Sequence, residues 1–511
     1  MKRILAISLA VLLLAGCTAS TTTSTKTDVV VNLPDGFPIT AAPITLNVLG
    51  EKAAVHSAWA DMEVFKLYEE LTGIKMVFED VPQAGYREKL NLMLASNELP
   101  DVFVRGQLTP MDVAKYGPTG ALLDLNPYIE KGAAPNVKAL LAQYPEIREA
   151  ITSPDGCVYS LPTIVTVDLA RTEKNWINKV WLGQLGLEVP KTTDELVNVL
   201  EQFKNKIPNS IPLTGVNIAS VVNNFGGSFG LHQNMNYSIN IDGGKVNIWF
   251  GDDNYKKELE FLTGLYSKGL LDRDIFTHKQ QEFVAKLHPD KIGFVHRQAD
   301  DNFAKNDDQF IGIAPLKGPD GYQFKHINNI ARDFGAFAIS AINKYPAETL
   351  RWIDYFYGEE GSIFFRMGIL GKHHTADAQG NLDYSDAIKN DPNGMGVAMG
   401  RLTAWSGGSF PHLIDARNSI AVNSGATMQA QEALAPYLDT TFPMPILDLK
   451  TQQEAANIRN DIDKYVAETR SSFITGKTGF DKWDEYVETL EKIGIKKLEE
   501  IYQKAYDEAK K

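Results

Sequence analysis

The hydrophobic period of this chain changes repeatedly between Thr45 and Arg105, and that alternation restricts the fold more than any other feature. Thr45–Leu49 reads as a first strand. Trp59, Met62, Phe65 and Tyr68–Leu71 then recur at helical spacing, and Gly73 closes the pattern. Lys75–Glu79 reads as a second strand. Leu90, Met93 and Leu94 mark the end of another amphipathic helix, broken by Asn97 and Pro100. Asp101–Val104 follows as a short buried strand. This βαβαβ order predicts an α/β fold with a doubly wound sheet covered by helices. Ligands of such sheets sit beyond the carboxyl ends of the strands, which places Arg105, Gly106 and Gln107 at an expected ligand edge.

The N-terminus has a different character. Lys2 and Arg3 precede an apolar run, Ile4–Leu14. A bilayer span needs about 20 apolar residues, so the run reads as a secretory signal rather than a membrane helix. It ends Leu14-Ala15-Gly16-Cys17, which resembles a bacterial lipobox, in which the cysteine becomes the new N-terminus and carries lipid. Residues 1–16 are then the lipoprotein signal peptide. Thr18–Thr27 is nearly all Thr and Ser and belongs to a solvated tether over residues 17–41. With Cys17 acylated, Cys157 has no intrachain partner, so core packing alone must hold the exported part together. That part is too long for one core and predicts two lobes. A formal net charge of −13 argues against nucleic acid or an anionic membrane surface as partner.

Further on, Asp155-Gly156 predicts a turn, and Val158–Leu161 a strand ended by Pro162. Trp176, Trp181, Leu182 and Leu185 are expected on one helix, and Thr192 with Glu195 caps the next, to about Lys206. Asn223–Gly230 reads as a loop, Tyr255–Lys268 as a helix ended by Gly269. Lys291–Val295 and Gly335–Ser340 read as strands, and Pro346–Tyr357 as a helix. From Thr451 the chain is helical, with core stripes that include Trp483, Leu490, Leu498 and Ile501.

Five motifs carry a family resemblance. They are Ala95-Ser96 with Leu99-Pro100-Asp101-Val102; Ser153–Pro162; Trp181–Leu187 with Pro190 and Thr193–Leu196; Gly269–Asp272 with Ile275–Thr277; and Trp483–Tyr486. In this order the chain resembles the extracellular solute-binding proteins, family 1, of bacterial ABC importers. It is similar to their long-chain branch, which includes alginate-oligosaccharide-binding proteins and LipO- and LplA-type lipoproteins. The resemblance implies a two-lobed periplasmic-binding-protein-like fold, each lobe a sheet flanked by helices, with ligand in the cleft. The lobes are expected at 42–165 plus 300–345 and at 166–299 plus 346–511, with hinges near Pro162–Val165 and Asp300. The alginate binders carry a calcium loop where this chain has Asn205–Pro212, which offers no carboxylate. The family's Arg-Lys-Asp is Asn178-Lys179-Val180 here. No metal and no cofactor is expected.

The function implied is a lipid-anchored receptor, monomeric and extracytoplasmic, that hands an oligosaccharide to the permease subunits of an importer. Sugars are held by planar polar side chains and aromatic platforms. The candidate ligand-binding residues are Trp59, Arg105, Phe225, His296, Arg297, Arg332, Asp333 and Trp405, with Trp405 expected to stack on a ring and the three arginines to converge. The ligand is expected to be a neutral or mildly acidic oligosaccharide. The alternatives are a carbohydrate-active enzyme, for which Asp300-Asp301 and Glu359-Glu360 are the imaginable carboxylates, and a sensory lipoprotein. There is no His-Glu-x-x-His and no phosphate loop. No catalytic residue is assigned.

Overall fold

The computed structural model describes residues 29–510 except 55, 233–237, 289, 300–308, 404–408, 415 and 441–444. The expectations for the signal peptide, Cys17, the Ser/Thr tether, Asp300-Asp301 and Trp405 lie outside the described residues.

The expected alternation is present: β1 (Ile44–Lys52), α1 (Glu63–Thr72), β2 (Ile74–Pro82), α2 (Gln83–Ser96) and β3 (Val102–Leu108) follow in order. Both helix stops are local. Gly73 and Asn97 take left-handed backbone angles, φ 74° and 58°, which end α1 and α2. β1 runs parallel to both β2 and β3. The Leu-Pro-Asp motif fastens this arrangement: the Asp101 carboxylate accepts from the Asn47 backbone N–H at 2.8 Å and its side-chain amide at 3.2 Å. The motif that carries the family likeness is therefore a sheet staple.

β4 (Leu161–Val165) and the strand Ala331–Ile339 complete most of a six-stranded sheet, in the order 413–414, 161–165, 331–339, 102–108, 44–52, 74–82. Pro162 lies inside β4 rather than after it. A four-stranded sheet contains β5 (Lys174–Asn178), β6 (Ile211–Thr214), Ile292–Arg297 and Phe310–Ile313. Trp176 is thus a strand residue, not a helical one; its indole N–H donates to the Arg297 carbonyl at 3.0 Å, and the helix begins only at Lys179. Asn223–Gly230 is not a loop either. It is the end of the helix Ile218–Phe225 followed by a 3-10 turn, because Asn217 caps that helix through Ser220 N–H at 2.9 Å.

Each sheet has its own hydrophobic cluster. Around the smaller sheet pack Leu200 and Phe203, Leu259 and Leu262, and Leu490 and Leu498. Around the larger sheet pack Val48, Tyr68 and Val104. The boundaries expected at 300 and 346 do not follow this division. Phe310–Ile313 pairs antiparallel with β5, and Leu350, Ile353, Phe356 and Phe365 join the cluster of the larger sheet. An apolar stripe declares that a segment is buried, not which sheet buries it.

The core of the smaller sheet holds one unpaired carboxyl. Glu258 is fully buried, neither of its oxygens has a hydrogen-bond partner among the described residues, and burial raises its pKa well above the ordinary value of 4.5. A raised folded-state pKa means that the native state binds more protons, so this group's contribution to stability falls as pH rises above 4.5. Glu258→Gln is expected to flatten that decline, giving the variant the higher melting temperature at pH 8 and near-equality at pH 5. Melting curves across that range check it.

Candidate functional site

Among the described residues, two segments run from a strand of one sheet to a strand of the other. The chain leaves β4 through residues 166–173 to enter β5, and returns through residues 314–330 to Ala331–Ile339. These crossovers are bonded to each other: Val165 N–H to Ile330 O at 2.8 Å, Asn328 N–H to Arg171 O at 2.9 Å, and Thr172 Oγ1 to His326 O at 2.9 Å. A cavity of about 500 Å³ opens beside them. Its wall combines Arg171 and Glu173 from the first crossover, Asn217, Asn223 and Asn224 from the helix Ile218–Phe225 and its cap, Gln298, Lys325 and His326 from the return, and Arg332 from the strand after it.

A hydrogen-bond chain stiffens one side. The Asn224 amide donates to Glu173 Oε2 at 2.7 Å, and its Oδ1 accepts from the Lys325 ammonium at 2.6 Å. Lys325 also donates to Asn175 Oδ1 at 3.2 Å, which accepts His296 Nδ1–H at 3.0 Å. Burial pushes Lys325 down to about 8 and His326 down to about 3, so His326 is a neutral ring at pH 7. Gly227 permits the close contact of the turn with the return crossover: a Cβ there would lie 2.0 Å from the Phe324 carbonyl oxygen.

The expected site residues divide. Arg332 lines the cavity, and Asp333 is its neighbour on the strand, with the Thr163 hydroxyl 3.4 Å from its carboxylate. Both belong to Ala331–Ile339 itself rather than preceding it. Arg105 is buried inside β3, with Glu51 at 3.3 Å and Phe410 stacked at 5.1 Å from its guanidinium. Burial lowers its pKa, opposed first by Glu51 and then by Asp333, so Arg105 and Asp333 are electrostatic neighbours. Arg105, Gln107 and Asp333 all have positive φ, at 52°, 50° and 50°, where the register between strands shifts. Such bulges re-aim side chains, and non-glycine strain of this kind collects at functional sites.

Four expectations are corrected. Trp59 is 0 % exposed, enclosed by Phe65, Phe78 and Phe410, so no ring face is left for a sugar. Phe225 is 1 % exposed and packs on Phe261, Phe294 and His296. His296 is itself 1 % exposed, behind the cavity wall. Arg297 lies over Phe283 at 5.8 Å, outside the cavity lining, whereas Gln298, just past the end of the strand, lines it. The three arginines therefore do not converge: only Arg105 and Arg332 share the Asp333 neighbourhood.

Arg171, Glu173, Asn224 and Lys325 were not among the candidates. The Asn-rich run Asn217–Asn224 and the polar cluster Arg171–Lys174 after a strand were the available signals. At Asn205–Pro212, Asn209 takes φ 58° in a turn, and Ser210 bonds Phe203 O at 3.0 Å. Among the described residues no group of three His, Cys, Asp or Glu converges as a metal site.

Residues 53–363 match the model of the bacterial extracellular solute-binding protein family. The chain belongs to that family. This solute-binding protein is 28 % identical over 473 residues to the fructooligosaccharide ABC transporter substrate-binding protein FusA of Streptococcus pneumoniae, covering 87 % of this chain and 86 % of that one. The structure of FusA in complex with kestose superposes with a TM-score of 0.76 at 25 % identity, over 91 % of this chain and 99 % of that one. The solute-binding protein is also 22 % identical to lipoprotein LipO of Bacillus subtilis, over 100 % of this chain and 99 % of that one. It is 22 % identical to the polygalacturonan/rhamnogalacturonan-binding protein YtcQ of the same organism, over 87 % and 88 %. Its fold is accordingly the two-lobed one of these proteins, with sheets flanked by helices.

Proposed function

We propose that this solute-binding protein is a lipid-anchored receptor that takes an oligosaccharide into the cavity at the crossovers and delivers it to an ABC-importer permease. The observation that carries the reading is the cavity wall: amides, hydroxyls and guanidinium groups from both crossovers, from the helix Ile218–Phe225 and from the strand Ala331–Ile339 meet where the chain passes between the sheets. Ligands held between two lobes commonly close a hinge. The hinge proposed is the bonded pair 166–173 and 314–330, and the lobes are the two sheets with their own clusters. Arg332 and Asp333 face the ligand, Arg105 supports them from β3, and Trp405 supplies a ring platform. FusA and YtcQ are named for glycans, which supports the ligand class. The lipobox-like Leu14–Cys17 and the kinship with LipO support the anchor, at the outer face of the cell membrane. The protein works as a monomer and turns over no glycan.

A thermal-shift screen over oligosaccharides tests this. A ligand present at 100 times its Kd adds about 2.7 kcal/mol of stability. With that ligand, small-angle scattering is expected to show a smaller radius of gyration. Hydrolysis of the ligand on prolonged incubation would overturn the receptor reading.

A further inference from the structure

The three cations and single carboxylate of the cavity wall are unusual in a chain of formal charge −13. They are not alike. Arg171 is committed: its guanidinium donates to Asp168 Oδ1 at 3.1 Å and to the Asn328 carbonyl at 2.7 Å. Glu173, the one acid, accepts from the Asn224 amide. Lys325 is 6 % exposed, and the acceptors around its ammonium are all neutral: Asn175 Oδ1, Asn224 Oδ1 and the Asn224 carbonyl. Arg332 makes no side-chain hydrogen bond among the described residues, and its Nε–H is sealed from solvent without an acceptor. Burial lowers the pKa of both Lys325 and Arg332, as expected for desolvated cations lacking a contacting carboxylate.

Glu173 acts on Lys325 and Asp333 on Arg332 only at a distance, with no ion pair or hydrogen bond between them among the described residues; a buried cation without a contacting counter-charge is costly to hold, and a guanidinium fork with free N–H groups is shaped for a planar carboxylate. The neutral remainder of the wall, Asn217, Ser220, Asn223 and Gln298, suits hydroxyls. From this division of labour we infer that the ligand is an acidic oligosaccharide, whose ring carboxylate sits against Arg332 and Lys325 while its hydroxyls meet the amides. This rests on the oligosaccharide reading above and goes beyond it. The named ligands of FusA and YtcQ are different glycans, and kinship does not choose between them.

Calorimetry at pH 7 with trigalacturonate, its carboxyl-reduced form and kestose tests the charge. Trigalacturonate is expected to bind at least ten-fold tighter than either neutral trisaccharide. Its affinity is expected to fall as salt rises, and the preference to shrink to near unity in Arg332→Gln. The carboxyl-reduced sugar keeps ring and linkage, so the comparison stands even where the variant fails to fold. Equal or tighter binding of a neutral trisaccharide overturns the charge assignment and leaves the oligosaccharide reading intact. Failure of every acidic and neutral oligosaccharide in the screen overturns both. A preference for trigalacturonate that persists in folded Arg332→Gln and in Lys325→Gln overturns the placement of the carboxylate.

Discussion

Trp59→Ala is expected to lower stability by about 3–5 kcal/mol, the usual range for emptying a buried Trp or Phe site, and to leave ligand affinity unchanged. Trp59 occupies a 3-10 turn between β1 and α1 with its ring wholly enclosed. Rings of Phe65, Phe78 and Phe410 lie at centroid distances of 6.3, 5.6 and 5.6 Å. The opposite side is filled by backbone: a Cβ on Gly50 would come within 2.5 Å of the indole. The turn itself does not depend on the ring, since the Trp59 backbone N–H donates to Asp80 at 3.1 Å, a bond that alanine keeps. The loss is therefore cavity and transfer energy, not local unfolding. Denaturant midpoints with calorimetry on the folded fraction check both halves. A large loss of affinity with little loss of stability would restore Trp59 as a sugar platform.

Gly227→Ala acts on the site through the backbone. The added Cβ would meet the Phe324 carbonyl oxygen at 2.0 Å and the Phe324 ring at 3.2 Å. Real Cβ atoms do not approach so closely, and a carbonyl in a bonded crossover has little room to retreat. The Phe324 N–H already reaches back to Gly227 O at 3.4 Å, and the following residues continue as a strand from Lys325 to Ile327. Relief must come from moving Phe324–His326, which forms one wall of the cavity. Overpacking of this kind costs about 1–3 kcal/mol in stability. Affinity is expected to fall at least about ten-fold, roughly 1.4 kcal/mol, because the Lys325 ammonium moves with the wall. Melting temperature and titration of the screened ligand measure the two effects. Gly264→Ala is the control, since a Cβ there would meet nothing within 4 Å.

Much of the local structure was legible from neighbours in the chain. The ends of α1 and α2, at Gly73 and Asn97, follow from backbone freedom. The cap at Thr192, whose hydroxyl accepts Glu195 N–H at 3.1 Å, follows from a spacing of three. Errors came where one-dimensional signals are degenerate. Trp176 fits a helical stripe with Trp181, yet lies in β5 because strands on both sides bond it. Arg332 and Asp333 looked like a lead-in to a strand, but polar residues can lie within a strand that faces a cavity on one side.

The chain alone carried the α/β alternation from Thr45 to Arg105, the stops of α1 and α2 and the cap at Thr192, while five motifs carried the family likeness. The alternation, the stops and the cap rest on periodicity, capping and turn chemistry, which need only residues within a few positions. Tertiary structure alone decided which polar groups meet. Arg171, Asn224 and Lys325 are far apart in the chain and converge because two crossovers bond to each other beside the helix Ile218–Phe225. It also decided that Trp59, Phe225 and His296 are core while Arg332 lines the cavity. An aromatic or basic side chain carries the same chemistry in either place. Whether it meets a ligand depends on what distant segments leave uncovered, and no local pattern records that.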